Sequence, residues 1–210
     1  MLDFLLKNRG QIASLTLEHL WLVGIAMVIA VAIGVPLGIL VSRSAWLRKP
    51  VLGGTSVLQT IPSLALFGFL LPAPWLGARA DRLAIAALVL YALLPIVRNT
   101  YTGIMAIDPA VKEAAVGMGM TDNELLTRVE LPLSAPFMLA GIRIATVTAV
   151  GVATIAAAVG AGGLGELIFR GVAMVNNQLI LAGAIPAALL AIVADVVLGA
   201  VENCLRVPRK

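Results

Sequence analysis

The sequence predicts an all-α, polytopic membrane protein with about five transmembrane helices. Three observations predict it. Hydrophobic residues make up 60% of the chain and charged residues 12%, where ordinary soluble domains carry roughly 25% charge. Mean hydropathy is +1.03. The apolar residues also gather in runs near the roughly 20 that a helix needs to cross a bilayer. A soluble fold of 210 residues has too much surface for its volume to hide this much apolar area. The length allows several spans but not spans plus a second folded domain. Cys204 is the only cysteine and His19 the only histidine, so neither an internal disulfide nor a cysteine-based metal site is expected. The opening MLDFLLKNRG lacks a long apolar run and a small-residue cleavage site, so no removable signal peptide is expected.

Taken in order, residues 1–19 read as a peripheral N-terminal segment and 20–201 as the membrane domain. Leu20 to Val41 is the first span, with Trp21 and Trp46 as interface anchors. Val51 to Leu71 is the second; Pro62 inside QTIPS predicts a kink or local opening. Leu83 to Val97 is a short third, Pro136 to Val159 the fourth, and Leu179 to Val201 the fifth. GAGGLGELIFRGVAMVNNQ, between the last two, is too glycine-rich and polar to span. A tail, 202–210, closes the chain.

Charge orients these spans. Arg43, Arg48, Lys49, Arg98, Lys112, Arg128, Arg206, Arg209 and Lys210 fall on one side of five alternating spans, and Lys7, Arg9, Arg79, Arg82 and Arg170 on the other. The excess of basic residues belongs in the cytoplasm, so the N-terminus is expected outside and the C-terminus inside. The net charge of +4 is explained by this bias and needs no nucleic acid.

The cytoplasmic loop, 98–135, is the polar exception in a greasy chain. Asp108-Pro109 is a helix start: Asp accepts from a free backbone N–H and Pro fits the first helical position. Val111, Ala114, Ala115 and Met118 form one stripe. Gly117 and Gly119 stop the helix. Thr121 to Glu124 is a capping box that starts a second helix, with Met120 stapled onto Leu125. That helix is expected to end near Leu131, because Pro132 blocks simple continuation. A helix of about two turns is marginal alone. Ala114-Ala115 allows close approach and Glu113 supplies a charge, so the segment is either a docking knob for a cytoplasmic partner or a solvated loop with incidental helicity.

The spacing of Glu113, Ala114, Ala115, Gly119, Val129, Leu131 and Pro132 in EAAVGMGMTDNELLTRVELP resembles the EAA loop of ABC importer permeases, with Val129 where Ile is usual. QTIPSLALFGFLLP, LPIVRNTYTGI, LPLSAPFMLAGIR and GAGGLGELIF are similar, in order and spacing, to the permease subunit of osmoprotectant importers, the glycine betaine, carnitine and choline group. The resemblance implies a type I importer (MetI-like) permease fold in a bacterial cytoplasmic membrane. It implies that Glu113, Ala114, Ala115, Gly119, Leu131 and Pro132 couple the spans to a cytoplasmic ATPase. The partners it implies are two ATP-binding subunits, a second copy or a similar permease, and an extracytoplasmic solute-binding protein. A permease for another small solute, such as methionine or a polar amino acid, is the alternative.

Polar residues within the spans need reasons, since a charge at mid-bilayer costs roughly 2.5–3.5 kcal/mol on insertion scales. Arg143 can snorkel toward the cytoplasmic interface. Asp195, at comparable depth, either pairs with Arg143 or a backbone donor, tying spans four and five, or faces a cationic substrate. Gln59 and Ser63, four apart and therefore on one helical face, either line a solute path or satisfy backbone freed by Pro62. Gly34 and Gly38, and Gly141, Ala145, Ala149 and Ala153, read as close-packing surfaces. His19 reads as solvated at the outer interface. Aromatic residues are only 5%, too few for an obvious ammonium cage, so tight solute selection is expected in another subunit. The chain lacks GxxxxGK[ST]; ATP and Mg would be bound by the partner, and the chain itself is expected to bind no cofactor or metal and to catalyse nothing. An intramembrane enzyme would need a polar cluster at depth, and a mere scaffold would not need the caps and the elbow.

Overall fold

A computed structural model describes residues 2–205; the basic residues Arg206, Arg209 and Lys210 lie outside the described part. The elements in order are α1 (Leu2–Lys7), α2 (Arg9–Arg43), α3 (Ala45–Thr60), α4 (Ser63–Leu70), α5 (Pro74–Gly77), α6 (Ala80–Met105), α7 (Pro109–Gly117) and α8 (Asp122–Glu124). A π-helical turn (Leu125–Glu130), α9 (Leu131–Ala156), a 3₁₀ turn (Ala157–Val159), α10 (Gly165–Ala173) and α11 (Asn177–Leu205) complete the chain. Among the described residues α2, α6, the run 122–159 and α11 are each long and apolar enough to cross a membrane, and α3 with α4 passes the same test as a pair bent by 106°.

Helix α2 starts at Arg9, well before the apolar run begins at Leu20, so residues 9–19 continue the first span's helix. Leu15 is buried there against Leu164 and Leu167, with Phe4, Leu5 and Ile12 beside it. Helix α6 likewise outruns its apolar stretch, from Ala80 to Met105: Arg98 and Asn99 end the greasy run but are no obstacle to a helix.

Helices α2, α6 and α9 form the centre of the bundle, where Ala30, Ala87, Leu88, Ile96, Ala145 and Ala149 are buried. Their approach depends on absent side chains. A Cβ on Gly38 would lie 2.5 Å from Thr100 Cβ, one on Gly34 2.8 Å from Ile96, and one on Gly141 2.6 Å from the Pro95 carbonyl. Ala145, Ala149 and Ala153 continue that surface along α9, all buried. With little hydrophobic drive between helices in lipid, such close contact is what holds spans together. Helix α11 lies against α9, and α10 against α11. The rest of α11 presents Leu189, Ile192, Val193 and Val196 outward, an apolar face suited to lipid or another subunit.

The second span breaks at Ile61 and Pro62, between α3 and α4. Proline removes a donor and restricts the residue before it. The freed Ile61 carbonyl is taken by the Tyr91 hydroxyl, and Gln59 Nε2 donates to the Tyr91 carbonyl at 2.9 Å. Two polar groups of the third span thus fasten the break.

Candidate functional site

The candidate site is the loop at the Arg43 end of the bundle. Helix α7 is capped as its sequence predicts: the Asp108 side chain accepts from Ala110 N at 2.9 Å, and Pro109 fills the first position. Gly119 turns the chain at φ +86°, a left-handed conformation that side chains resist. A Cβ there would meet nothing within 4 Å, so the demand is conformational and not one of space. The capping box forms, with Thr121 N donating to Glu124 Oε2 at 3.1 Å and Glu124 N to Thr121 Oγ1 at 3.4 Å.

Two expectations change here. Pro132 does not end the second helix. The turn from Leu125 to Glu130 is π-helical and runs directly into α9; Leu131 N reaches back five residues to the Leu126 carbonyl. A proline cannot donate and its ring crowds the preceding turn. The wider π turn supplies room, and 122–159 becomes one continuous helical run. The second change is that Ala114 and Ala115 do not share a contact face. Ala115 is buried against the chain, whereas Val111, Glu113, Ala114 and Met118 are exposed. Ala115 seats the helix and its neighbours present the outward surface.

Beneath α7 lies a group that sequence reading passed over. Glu130 closes the π turn and is 1% exposed. One carboxylate oxygen bonds the Arg43 guanidinium at the end of α2; the other lies 3.2 Å from Lys112 Nζ on α7. Lys112 Nζ also donates to the Ile104 carbonyl, near the end of α6, at 3.0 Å. No local signal marks it: Leu125 and Glu130 are both buried, and their five-residue interval falls together through a π turn that helical spacing does not anticipate.

Arg143 bridges α9 and α11. Its Nε lies 3.4 Å from Asp195 Oδ1 and its Nη1 3.3 Å from Glu202 Oε2. The guanidinium passes over Gly199, where a Cβ would come within 2.8 Å of Nη1. Asp195 is the exposed member and Glu202, which the sequence reading left in the tail, the buried one.

Gln59 and Ser63 are not on one helical face, because the break falls between them. Gln59 turns to Tyr91, and Ser63 opens α4. His19 is not solvated. It is fully buried, with Nε2 3.1 Å from the Val150 carbonyl. The reason is the length of α2: its helix starts ten positions earlier and carries His19 in between α9 and the glycine-rich loop, where Gly163 packs on the imidazole.

With this geometry in hand, the comparisons are specific. Residues 30–207 match the family described as binding-protein-dependent transport system inner membrane component. The osmoprotectant import permease protein OsmW of Salmonella typhimurium is 47% identical over 92% of this chain and 91% of its own. The carnitine transport permease protein OpuCB of Listeria monocytogenes is 42% identical over 96% and 91%. The glycine betaine/carnitine/choline transport system permease protein OpuCD of Bacillus subtilis is 44% identical over 95% and 86%. Among solved structures, the inward-facing MetNI methionine ABC transporter superposes with a TM-score of 0.82 at 22% identity, covering 90% of this chain and 94% of that one. That likeness concerns the fold alone.

Proposed function

The chain belongs to the family of binding-protein-dependent transport system inner membrane components, and on that premise we propose that it passes a small quaternary ammonium osmoprotectant, such as glycine betaine, choline or carnitine, across a bacterial cytoplasmic membrane. It is a multi-pass permease subunit of an ABC importer and not an enzyme. In the proposed assembly two copies, or this chain and a similar permease, enclose the path. Two ATPases, which bind ATP and Mg, dock inside, and a solute-binding protein docks outside. The N-terminus faces out and the C-terminus in, which the distribution of basic residues supports.

One observation carries the coupling role: a nine-residue helix, α7, capped at its start and turned at Gly119, stands outside the bundle with Glu113 and Ala114 facing outward. Glu113, Ala114 and Gly119 form or aim the docking surface, Ala115 seats it, and Leu131-Pro132 begins the lever into α9. The second span's break, with Ser63 beside it, lines the path; exposed Gly53, Gly54, Thr60 and Gly68 on α3 and α4 support that reading. Substrate class rests on the relatives: the osmoprotectant and carnitine permeases are 42–47% identical to this chain, the methionine transporter 22%.

The deciding experiment is uptake of labelled glycine betaine, choline and carnitine by proteoliposomes holding the whole complex, with ATP inside. Uptake of at least one is expected; uptake of methionine instead would overturn the substrate class. Glu113→Lys and Gly119→Val are expected to insert and fractionate normally, yet to lose most ATPase stimulation by loaded binding protein. Parental transport by both would show that this loop does not couple. Orientation is checked at Cys204, which is exposed on the chain's surface: impermeant maleimide should leave it unlabelled in intact cells.

A further inference from the structure

We propose that Glu130 is a positioning residue for coupling. It gears the docking helix to the first span and to the lever, and its contact with Lys112 is made or broken as the docking helix moves. The proposal deepens the permease reading and rests on it.

The argument begins with where the charge is. Glu130 is essentially buried, and both of its carboxylate oxygens are engaged, one by Arg43 and one by Lys112. A single carboxylate therefore joins the end of α2, the middle of α7 and the start of α9. Lys112 extends the junction to α6 through the Ile104 carbonyl. Burying ions is a poor way to stabilise a fold, since well-packed apolar side chains usually do as well or better. The best-attested use of such groups is to fix one arrangement against another. The geometry fits that use. Lys112 and Glu113 are neighbours on α7, so the helix puts its cation inward on Glu130 and its carboxylate outward. A push on the outer face is felt directly by the Lys112 contact.

The two cations are also unequal. Arg43 belongs to a 35-residue helix packed through Gly34 and Gly38, whereas Lys112 sits on a helix of nine residues with one buried residue, Ala115. When α7 shifts, Glu130 keeps Arg43 and gives up Lys112. The carboxylate stays paired throughout, so the exchange avoids exposing a lone buried charge. Force leaves α7 through Lys112 and arrives at Glu130, the last residue before α9.

The test uses the complete complex of permease, ATPases and binding protein, with Glu130→Gln, Lys112→Met and Lys112→Arg. Three quantities are read: complex yield, stimulation of ATP hydrolysis by loaded binding protein, and solute imported per ATP hydrolysed. Glu130→Gln and Lys112→Met are expected to assemble within twofold of the parent. Their solute-to-ATP ratio should fall fivefold or more, and Lys112→Arg should restore it to within twofold. If Lys112→Met keeps the parental ratio, the proposal fails. It fails equally if yield, hydrolysis and uptake drop together, since that is the signature of a structural anchor. A parent complex that hydrolyses ATP without importing any solute would sink the permease reading itself, and this proposal with it.

Discussion

The two ends of the bundle solve one problem in opposite ways. Each must hold a loop segment against the spans. At the His19 end the glycine-rich stretch before α10 is fitted by shape. Gly160, Gly162 and Gly163 take φ of +80°, +81° and +77°; Gly163 lies on the His19 ring, and its N–H donates to Glu18 at 3.2 Å. At the Arg43 end the loop that carries α7 is fitted by charge, through Glu130 and its two cations. The shape fit leaves little room for change: each of Gly160, Gly162 and Gly163 needs a left-handed backbone, and a Cβ on Gly163 would press to 3.1 Å from His19 Nδ1. Charge complementarity can change partners. The contrast sets a shape-fitted end against a charge-fitted one.

The largest expected effect tests the shape-fitted end. A Cβ on Gly165 would fall 1.9 Å from the Thr154 carbonyl, so Gly165→Ala must force α10 from its seat against the end of α9. A loss of about 3 kcal/mol is expected from such overpacking, read as a collapse of folded yield and of the melting temperature in detergent. A parental melting temperature would mean that this end is not shape-locked, and the contrast would dissolve.

Next comes the Arg143 cluster, which lies toward the charged end. Arg143→Gln is expected to cost more than loss of Asp195, about 1–3 kcal/mol, because it removes the contacts to both Asp195 and Glu202. Asp195→Asn should cost about 1 kcal/mol or less, because the Asp195 side chain is 57% exposed. The comparison is read from thermal unfolding of both variants and their double mutant. Should Asp195→Asn assemble normally and lose only the transport of cations, Asp195 faces solute and is not merely a tie between α9 and α11.

The smallest effect sharpens the description of the charge-fitted end. Thr121→Ala removes one half of the capping box, a change worth about 1 kcal/mol. Amide exchange should quicken over 122–125 while the melting temperature of the bundle stays unchanged. Quickening that spreads through α9 would show that the lever melts as one piece with its cap.

These expectations divide along what a sequence carries. Asp108, Gly119 and the Thr121–Glu124 box were legible because capping is settled within four residues, and the small-residue surfaces of α2 and α9 were legible from helical spacing. The broken second span was legible from Pro62. What was missed depends on partners distant in the chain or on an uncommon helix. Glu130 is buried by Arg43, 87 positions away, on a turn whose period differs from the one used to read it. Gln59 and Ser63 were assigned one face by counting through a break. His19 was placed at an interface by the start of an apolar run, whereas the helix itself begins at Arg9. The split between Ala114 and Ala115 needed the neighbour that Ala115 faces.

The Arg143 bridge also bears on how the chain is made. Synthesis runs from α2 to α11, so the guanidinium on α9 is translated before either carboxylate that meets it. Asp195 lies 52 positions later; at roughly 5–20 residues per second the interval is about 3–10 seconds. For that time α9 carries a cation that lipid does not solvate, and the insertion machinery must shelter it or let it snorkel to the interface. The fourth span is therefore completed by the fifth.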